Sequence, residues 1–427
     1  MAVGSELAVT HQLDELYRTC VHCGLCLQAC PTYRELGLEM DSPRGRIRQV
    51  MLVERGELAL GPTVVEHLDR CLACRACETA CPSGVQYGQI IESARARIEQ
   101  QYRRPLAARL ARKIGYATIS DFKRLSRAAR LLRFYQRSGL QRLVRGSGVL
   151  RLLGMQQTEA LAPRIEDDFF FRELGKSFPA EGERRARVAF LAGCISSVAF
   201  AELNRATIRV LQKNGVEVWV PEQQGCCGAL HVHAGLQNEA QVLARRNIEA
   251  MLRDDIDAIV TNAAGCGTTL KEYGVLLAGD AVMAARAQQF ASKVRDVNEF
   301  LAELGPRTPI RKLIARVTYQ DPCHLAHGQR VRSAPRELLR LITDDFVEMP
   351  RADSCCGSAG VYNVAENALS MQILGCKMND VATTRADILA TANVGCMLQL
   401  RAGIAQRGLD MKVRHVMELL DKAYGTE

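Results

Sequence analysis

Cysteine spacing constrains this chain more than any other feature. Residues 20–32 read CVHCGLCLQACPT and residues 71–83 read CLACRACETACPS. Both are C-x2-C-x2-C-x3-C-P, and every cysteine of the first run recurs 51 residues later in the second. Such a run wraps three thiolates around one inorganic cluster, while the fourth cysteine, followed by proline, reaches a neighbouring cluster. The spacing predicts two [4Fe–4S] clusters. One is assigned to Cys20, Cys23, Cys26 and Cys81, the other to Cys71, Cys74, Cys77 and Cys30. A structural zinc site would be met by two C-x2-C pairs, which fits three-plus-one runs poorly. Crossed ligation also sets the two clusters side by side, and adjacent clusters make an electron path. Between the runs, DSPRGRIRQV reads as a helix start, with Ser42 or Asp41 as cap and Pro43 in the first turn. Arg44 and Arg46 are candidates to lie near a cluster and favour its reduced, more negative form.

A second repeat begins near residue 186. Short apolar runs alternate with amphipathic segments, and a cysteine follows each apolar run. Cys194 to Cys323 and Cys226 to Cys355 are each 129 residues apart, and Cys266 to Cys396 is 130. Matching tails, KVRDVNEFLAEL from Lys293 and KVRHVMELLDKA from Lys412, close the two halves. This is a duplicated domain, and its alternation of strands and helices predicts an α/β sheet in each half. Sites in such sheets form beyond the carboxyl ends of the strands, where all these cysteines fall. Each half thus offers a four-thiol metal site: Cys194, Cys226, Cys227 and Cys266 in the first, Cys323, Cys355, Cys356 and Cys396 in the second. The vicinal pairs cannot form relaxed disulfides, because neighbouring α-carbons are about 3.8 Å apart and a disulfide wants about 4.4–6.8 Å. Buried, inert cysteine is the plain alternative. It suits the unrepeated Cys376 better than eight residues repeated in register.

Sixteen of the 17 cysteines fall in these repeats. In a long chain this pattern points to metal rather than to disulfides. The N-terminal MAVGSELAVTHQLDELYR lacks the features of a secretory signal, and no run of eighteen apolar residues occurs. A cytoplasmic protein is expected. The net charge is +9, yet residues 101–157 alone hold fourteen Lys or Arg and one acid, Asp121. That segment reads as basic amphipathic helix, suited to docking on partner subunits or on an anionic membrane surface. Aromatic stacking residues are few and no nucleic-acid motif is present, so no nucleic-acid partner is expected. His231, His233, His324 and His327 follow cluster-type cysteines and are candidates for ligation or proton transfer. His22, inside a ferredoxin run, reads as shielding.

The motifs C-x31-C-C-x38-C and C-x31-C-C-x39-C, with GCCG and SCCGSAG, resemble the cysteine-rich CCG domain of heterodisulfide reductases, lactate-utilisation proteins and the small subunit of anaerobic glycerol-3-phosphate dehydrogenase. Two ferredoxin motifs followed by two such domains resemble the iron–sulfur subunits of glycolate oxidase. CVHCGLC, DSPRGRI, EHLDRCLACRACETACPSGVQY, GCGTTLKEYG and TANVGC carry that likeness. It implies an electron-transfer subunit, not active alone, that takes electrons from FAD on partner flavoprotein subunits oxidising glycolate to glyoxylate. It passes them toward a quinone, from a peripheral position on the cytoplasmic face of the inner membrane. Lactate or glycerol 3-phosphate as substrate, and thiol–disulfide chemistry at the CCG sites, are the alternatives. No G-x-G-x-x-G opens a helix after a strand, consistent with flavin on the partners only. Longer CCG patterns carry a fifth cysteine, whose place is taken here by Thr269 and Gln399. Further iron–sulfur clusters or zinc are therefore both open for the CCG halves. The expected architecture is multidomain. An α-helical ferredoxin-like domain spans 1–100 and a basic helical linker 101–185. Duplicated α/β cysteine-rich domains span 186–305 and 306–427.

Overall fold

A computed structural model describes residues 13–425; the N-terminal twelve residues, on which part of the signal-sequence reading rests, lie outside them. Residues 13–101 hold helices and turns. Helix Pro43–Glu54 starts as its sequence predicts: Ser42 accepts a hydrogen bond from the Gly45 N–H and Pro43 occupies the first turn. Its apolar face, Ile47, Val50, Met51 and Val53, packs with Val64, Val65 and Leu68 of helix Pro62–Asp69 and Ile90, Ile91 and Ile98 of helix Tyr87–Gln101. This small core carries the two ferredoxin-type loops on its edge.

Helices Leu106–Ser120, Phe122–Arg137, Leu140–Gly146, Val149–Leu152 and Gln156–Ala160 follow. They hold few buried residues, because many of their apolar side chains, such as Leu106, Ile114, Leu131 and Phe134, stand exposed rather than on a core.

The rest forms two sheets. In the first, the order is β1-β3-β2-β4-β5, with β2 (Ala186–Phe190), β3 (Val216–Trp219), β4 (Ala258–Thr261) and β5 (Val294–Asp296) parallel. The second runs β7-β6-β8-β9, all parallel: β6 (Val317–Tyr319), β7 (Phe346–Val347), β8 (Ile388–Thr391) and β9 (Lys412–His415). The central parallel strands β2, β4, β6 and β8 are short and nearly all buried, as helices on both faces require, while β7 and β9 at the edges of the second sheet are only partly so. One strand has no counterpart in the duplication. β1 (Ser177–Phe178), inside the stretch read as linker, pairs antiparallel with β3 at the sheet edge. Two residues among charges carry no alternation for a sequence reading to find.

The halves share one continuous core. Helix Ala201–Lys213 packs on Val416–Ala423, and Val297–Leu304 on Ser333–Ile342. Arg209 pairs with Asp421 across this contact at 2.6 Å. Among the described residues no helix is long and apolar enough to cross a membrane.

Candidate metal centres

Cys30, Cys71, Cys74 and Cys77 line one cavity, together with Thr32, Arg46, Arg75 and Tyr87. Cys30 caps the short helix Pro31–Leu36 and Cys77 lies in the turn Ala76–Thr79. The loop between Cys71 and Cys77 is wound tightly enough to put Ala73 and Arg75 at φ 51° and 62°. Such conformations cost on the order of 1–3 kcal/mol each and persist only where the surroundings hold them. Here the Ala73 N–H is turned onto the Cys71 sulfur at 3.4 Å, and the Tyr87 hydroxyl donates to the same sulfur at 3.6 Å. Arg95 holds the loop from behind, donating to the carbonyls of Leu68, Asp69 and Cys71.

Burial pushes the Cys77 thiol well up, and the neighbouring Cys74, Cys71 and Cys30 add to it. Cluster binding must therefore displace protons. The Arg46 guanidinium supplies the opposing charge. Burial disfavours its charge, but Cys71, Cys30 and Asp41 around it hold the pKa above the ordinary value. Four thiols around one cavity with a buried cation in its wall fit a [4Fe–4S] cluster, whose thiolate-bound form is anionic. In the other ferredoxin set, Cys20, Cys26 and Cys81 pack against the helical core and Cys23 is exposed. Arg44 lies over that loop: it pairs with Glu39 at 2.8 Å and donates to the His22 carbonyl. His22 itself is exposed.

The cysteine-rich sets form at the carboxyl ends of the strands. In the first half, the sulfurs of Cys226 and Cys194 are 3.8 Å apart and those of Cys227 and Cys266 3.0 Å. The vicinal loop is clamped by Asn247, which accepts from the Gly225 N–H and donates to the Cys226 carbonyl, and by the Tyr273 hydroxyl on the Cys227 carbonyl. Gly228, at φ 82°, provides the turn that lets one loop present both thiols. Cys266, expected in a loop, sits in the first turn of helix Ala264–Lys271.

In the second half, Asn393 donates to the Cys396 sulfur and the Gly357 N–H to that of Cys355, both at 3.4 Å. The hydrogen bond with Cys356, then burial, raise the Cys396 thiol well above its ordinary range. All 17 cysteines are free. Among the described residues no three Cys, His, Asp or Glu side chains are arranged around a single ion. As donor sets, four thiols suit an iron–sulfur cluster or zinc alike.

The two positions of the missing fifth cysteine are filled by buried groups with other work. Gln399 donates to Ser370 and accepts from Asn363, and Ser370 in turn holds the Gly357 carbonyl. Thr269 bonds back to Gly265 in its own helix. Cys376 is half-buried and donates to Glu35, so it joins none of the sets. The histidines scatter. His231 is buried against Tyr116, and His327 meets Thr79 and the Asp353 carbonyl. His233 stacks on His324 with ring centroids 5.0 Å apart, which joins the two histidine pairs that the sequence kept separate. Sequence reasoning missed Arg95, Asn247 and Lys377, which carry no motif. Lys377, 1% exposed, donates to the Arg351 and Ala352 carbonyls ahead of the second vicinal pair.

The site and fold define an iron–sulfur protein built from a dicluster module and two cysteine-rich modules. Family models agree. The 4Fe-4S dicluster domain matches residues 17–85 and the cysteine-rich domain 188–271 and 317–401. The linker region of the glycolate oxidase iron-sulfur subunit matches 107–162. The chain is 43% identical to the probable glycolate oxidase iron-sulfur subunit of Bacillus subtilis, over 95% of this chain and 94% of that one. It is 34% identical to the glycolate oxidase iron-sulfur subunit of Escherichia coli, over 97% and 96%. It is also 29% identical to a subunit of the fumarate reductase (CoM/CoB) of Methanothermobacter marburgensis, over 98% and 74%. The chain belongs to the glycolate oxidase iron–sulfur subunit family.

Proposed function

We propose that this chain relays electrons within a glycolate-oxidising complex and has no substrate chemistry of its own. FAD on partner flavoprotein subunits takes two electrons from glycolate, leaving glyoxylate. This chain passes them singly toward a quinone, from the cytoplasmic face of the inner membrane. The observation that carries the reading is the meeting of a ferredoxin-type thiol set and a cysteine-rich thiol set in one buried region. Cys20, Cys23, Cys26 and Cys81 would hold one [4Fe–4S] cluster and Cys71, Cys74, Cys77 and Cys30 the other. When bound, the clusters supply reversible one-electron chemistry. The chain's own residues hold them, exclude water and, at Arg46, offset their charge.

The basic helices support a surface role. Arg109, Lys113, Arg127, Arg130 and Arg142 make no ion pair with a described residue. They stand among exposed Leu106, Leu110, Ile114, Leu131, Phe134 and Leu143. That combination suits contact with anionic lipid beside a membrane acceptor.

The purified chain should bind iron and sulfide and leave glycolate untouched, while the complex with its co-purifying flavin subunits oxidises it. Glycolate oxidation by the isolated chain would overturn the relay role. The same relay serving lactate is the second reading. It rests on 29% identity, over 55% of this chain, to lactate utilization protein A of Oceanobacillus iheyensis. Assaying the intact complex with each 2-hydroxy acid, and with glycerol 3-phosphate, separates these. Thiol–disulfide chemistry at the CCG loops is disfavoured by Thr269 and Gln399, which stand where a fifth cysteine would be.

A further inference from the structure

We infer that the two cysteine-rich sites work in series, with the second-half site as the direct electron partner of the Cys30/Cys71/Cys74/Cys77 site and the first-half site reached only through it. The inference rests on the relay reading above. Its ground is an asymmetry that the duplication does not predict.

Cys74 and Cys355 lie in one buried cluster, which sets a ferredoxin-type cysteine among cysteine-rich ones. Cys74, Cys323 and Cys355 share one buried apolar cluster with Leu72, Ala76, Tyr362, Leu369 and Ile373. The first-half cysteines Cys194, Cys226 and Cys227 belong to a different core, which they share with Cys356 and Cys396 of the second half and which contains none of the eight ferredoxin cysteines.

The reason lies in the residue seven positions after the first vicinal cysteine. In the second half it is Tyr362, 6% exposed, with a hydroxyl that has no partner among the described residues. Its ring packs in the cluster that holds Leu72, Cys74 and Cys355. In the first half the same position is His233, which turns away to meet Glu92 and stack on His324. The halves do touch each other at these loops. A Cβ on Gly360 would lie 2.5 Å from Leu230, and His324 directly follows Cys323 in the chain.

Electron tunnelling falls exponentially with distance, so a route through Cys74 and Cys355 within one buried cluster outcompetes longer ones. With redox clusters held by both thiol sets, one electron at a time would leave the site of Cys30, Cys71, Cys74 and Cys77, which would be oxidised, and enter that of Cys323, Cys355, Cys356 and Cys396, which would be reduced. No bond forms or breaks and no proton is required. The electrons originate in a reduced flavin, which gives up two one at a time. They end on a quinone, which takes two electrons and two protons.

The test is electron paramagnetic resonance of the reconstituted full chain. Spin relaxation of the second ferredoxin-type signal is compared with the cysteine-rich sites oxidised and then reduced, in wild type, Cys323→Ser and Cys194→Ser. In wild type the relaxation should change with the redox state of the cysteine-rich sites. That response should be lost in C323S and retained in C194S. The wild-type arm needs no variant, so misfolding cannot obscure it. A response lost in C194S but kept in C323S overturns the proposed order, as does a wild-type signal indifferent to the cysteine-rich sites. If the cysteine-rich halves bind no redox cluster while the ferredoxin signals persist, the series is overturned and the relay stands. Absence of ferredoxin-type signals in a chain loaded with iron and sulfide sinks both.

Discussion

Arg46 and Arg44 stand two residues apart in one motif and do different work. On a helix, side chains two apart point to opposite sides. Arg44 stays on the surface with Glu39, while Arg46, 1% exposed, enters the cavity wall. There it donates to the His67 carbonyl at 2.7 Å, to Thr32 at 3.0 Å and to Asp41 at 3.1 Å. Replacing it by glutamine leaves the buried Asp41 with weaker partners, His67 at 3.2 Å and Arg70 at 3.6 Å. Stranding one member of a buried pair costs about 3 kcal/mol. Arg46→Gln should therefore release iron at lower urea concentration. It should also lower the reduction potential of the neighbouring cluster, since the lost cation favours the reduced form. Redox titration of the cluster signal checks this, and an unchanged potential would leave Arg46 a purely structural role. The sequence pointed to both arginines but could not rank them, because rank depended on which helix face met the cavity.

The closing tails of the two halves, identical at six of twelve positions, become strand, cap and helix in both places. Asp296 caps Val297–Leu304 and His415 caps Val416–Ala423, each in a capping box with Glu299 or Glu418. Equivalent positions thus hold groups that titrate in opposite senses. Burial raises Asp296 to about 6, so its contribution to stability is full below its unfolded value and fades as pH rises through 6. Burial lowers His415 to about 4. Its Nδ1 accepts from the Met417 N–H, and Nε2 donates to the Asn262 carbonyl of the other half at 3.0 Å. Neutral His415 therefore stabilises the fold above about pH 6.5, and that contribution is lost as pH falls toward 4, by about 3 kcal/mol. Urea denaturation of His415→Asn at pH 7 and pH 4.5 should show a smaller acid loss than wild type. Equal slopes would contradict the assignment.

Across the molecule, charge is concentrated on the helices between the dicluster module and the first sheet. Partial neutralisation occurs where Arg104 meets Asp69 and Glu99 and Arg145 meets Glu159. Reversing Arg109, Lys113, Arg127 and Arg130 to glutamate should abolish flotation with vesicles containing anionic lipid and leave cluster content unchanged. Wild-type binding should weaken with salt, because surface attraction decays over about 8–10 Å at physiological ionic strength. Binding that survives the reversal would assign these helices to a partner subunit instead. Modules were legible here because each carries its own period, thiols at ferredoxin spacing or strands alternating with helices. Junctions were not. Gly235 illustrates why: a Cβ there would lie 2.3 Å from the Arg95 carbonyl, so the first half presses directly on helix Tyr87–Gln101. Nothing local to Gly235 or Arg95 announces that approach.

Spacing alone put eight of the sixteen repeated cysteines beyond strand ends and proposed how all sixteen divide into four sets. Ligand spacing and strand periodicity are properties of short segments, and local geometry enforces them. Which sets face one another is a different kind of fact. The shared cluster of Cys74 and Cys355, the entry of Arg46 into the cavity and the divergence of Tyr362 from His233 join residues far apart in the chain. They follow from how separate cores bury their apolar faces against each other, a sum over many side chains that no motif records.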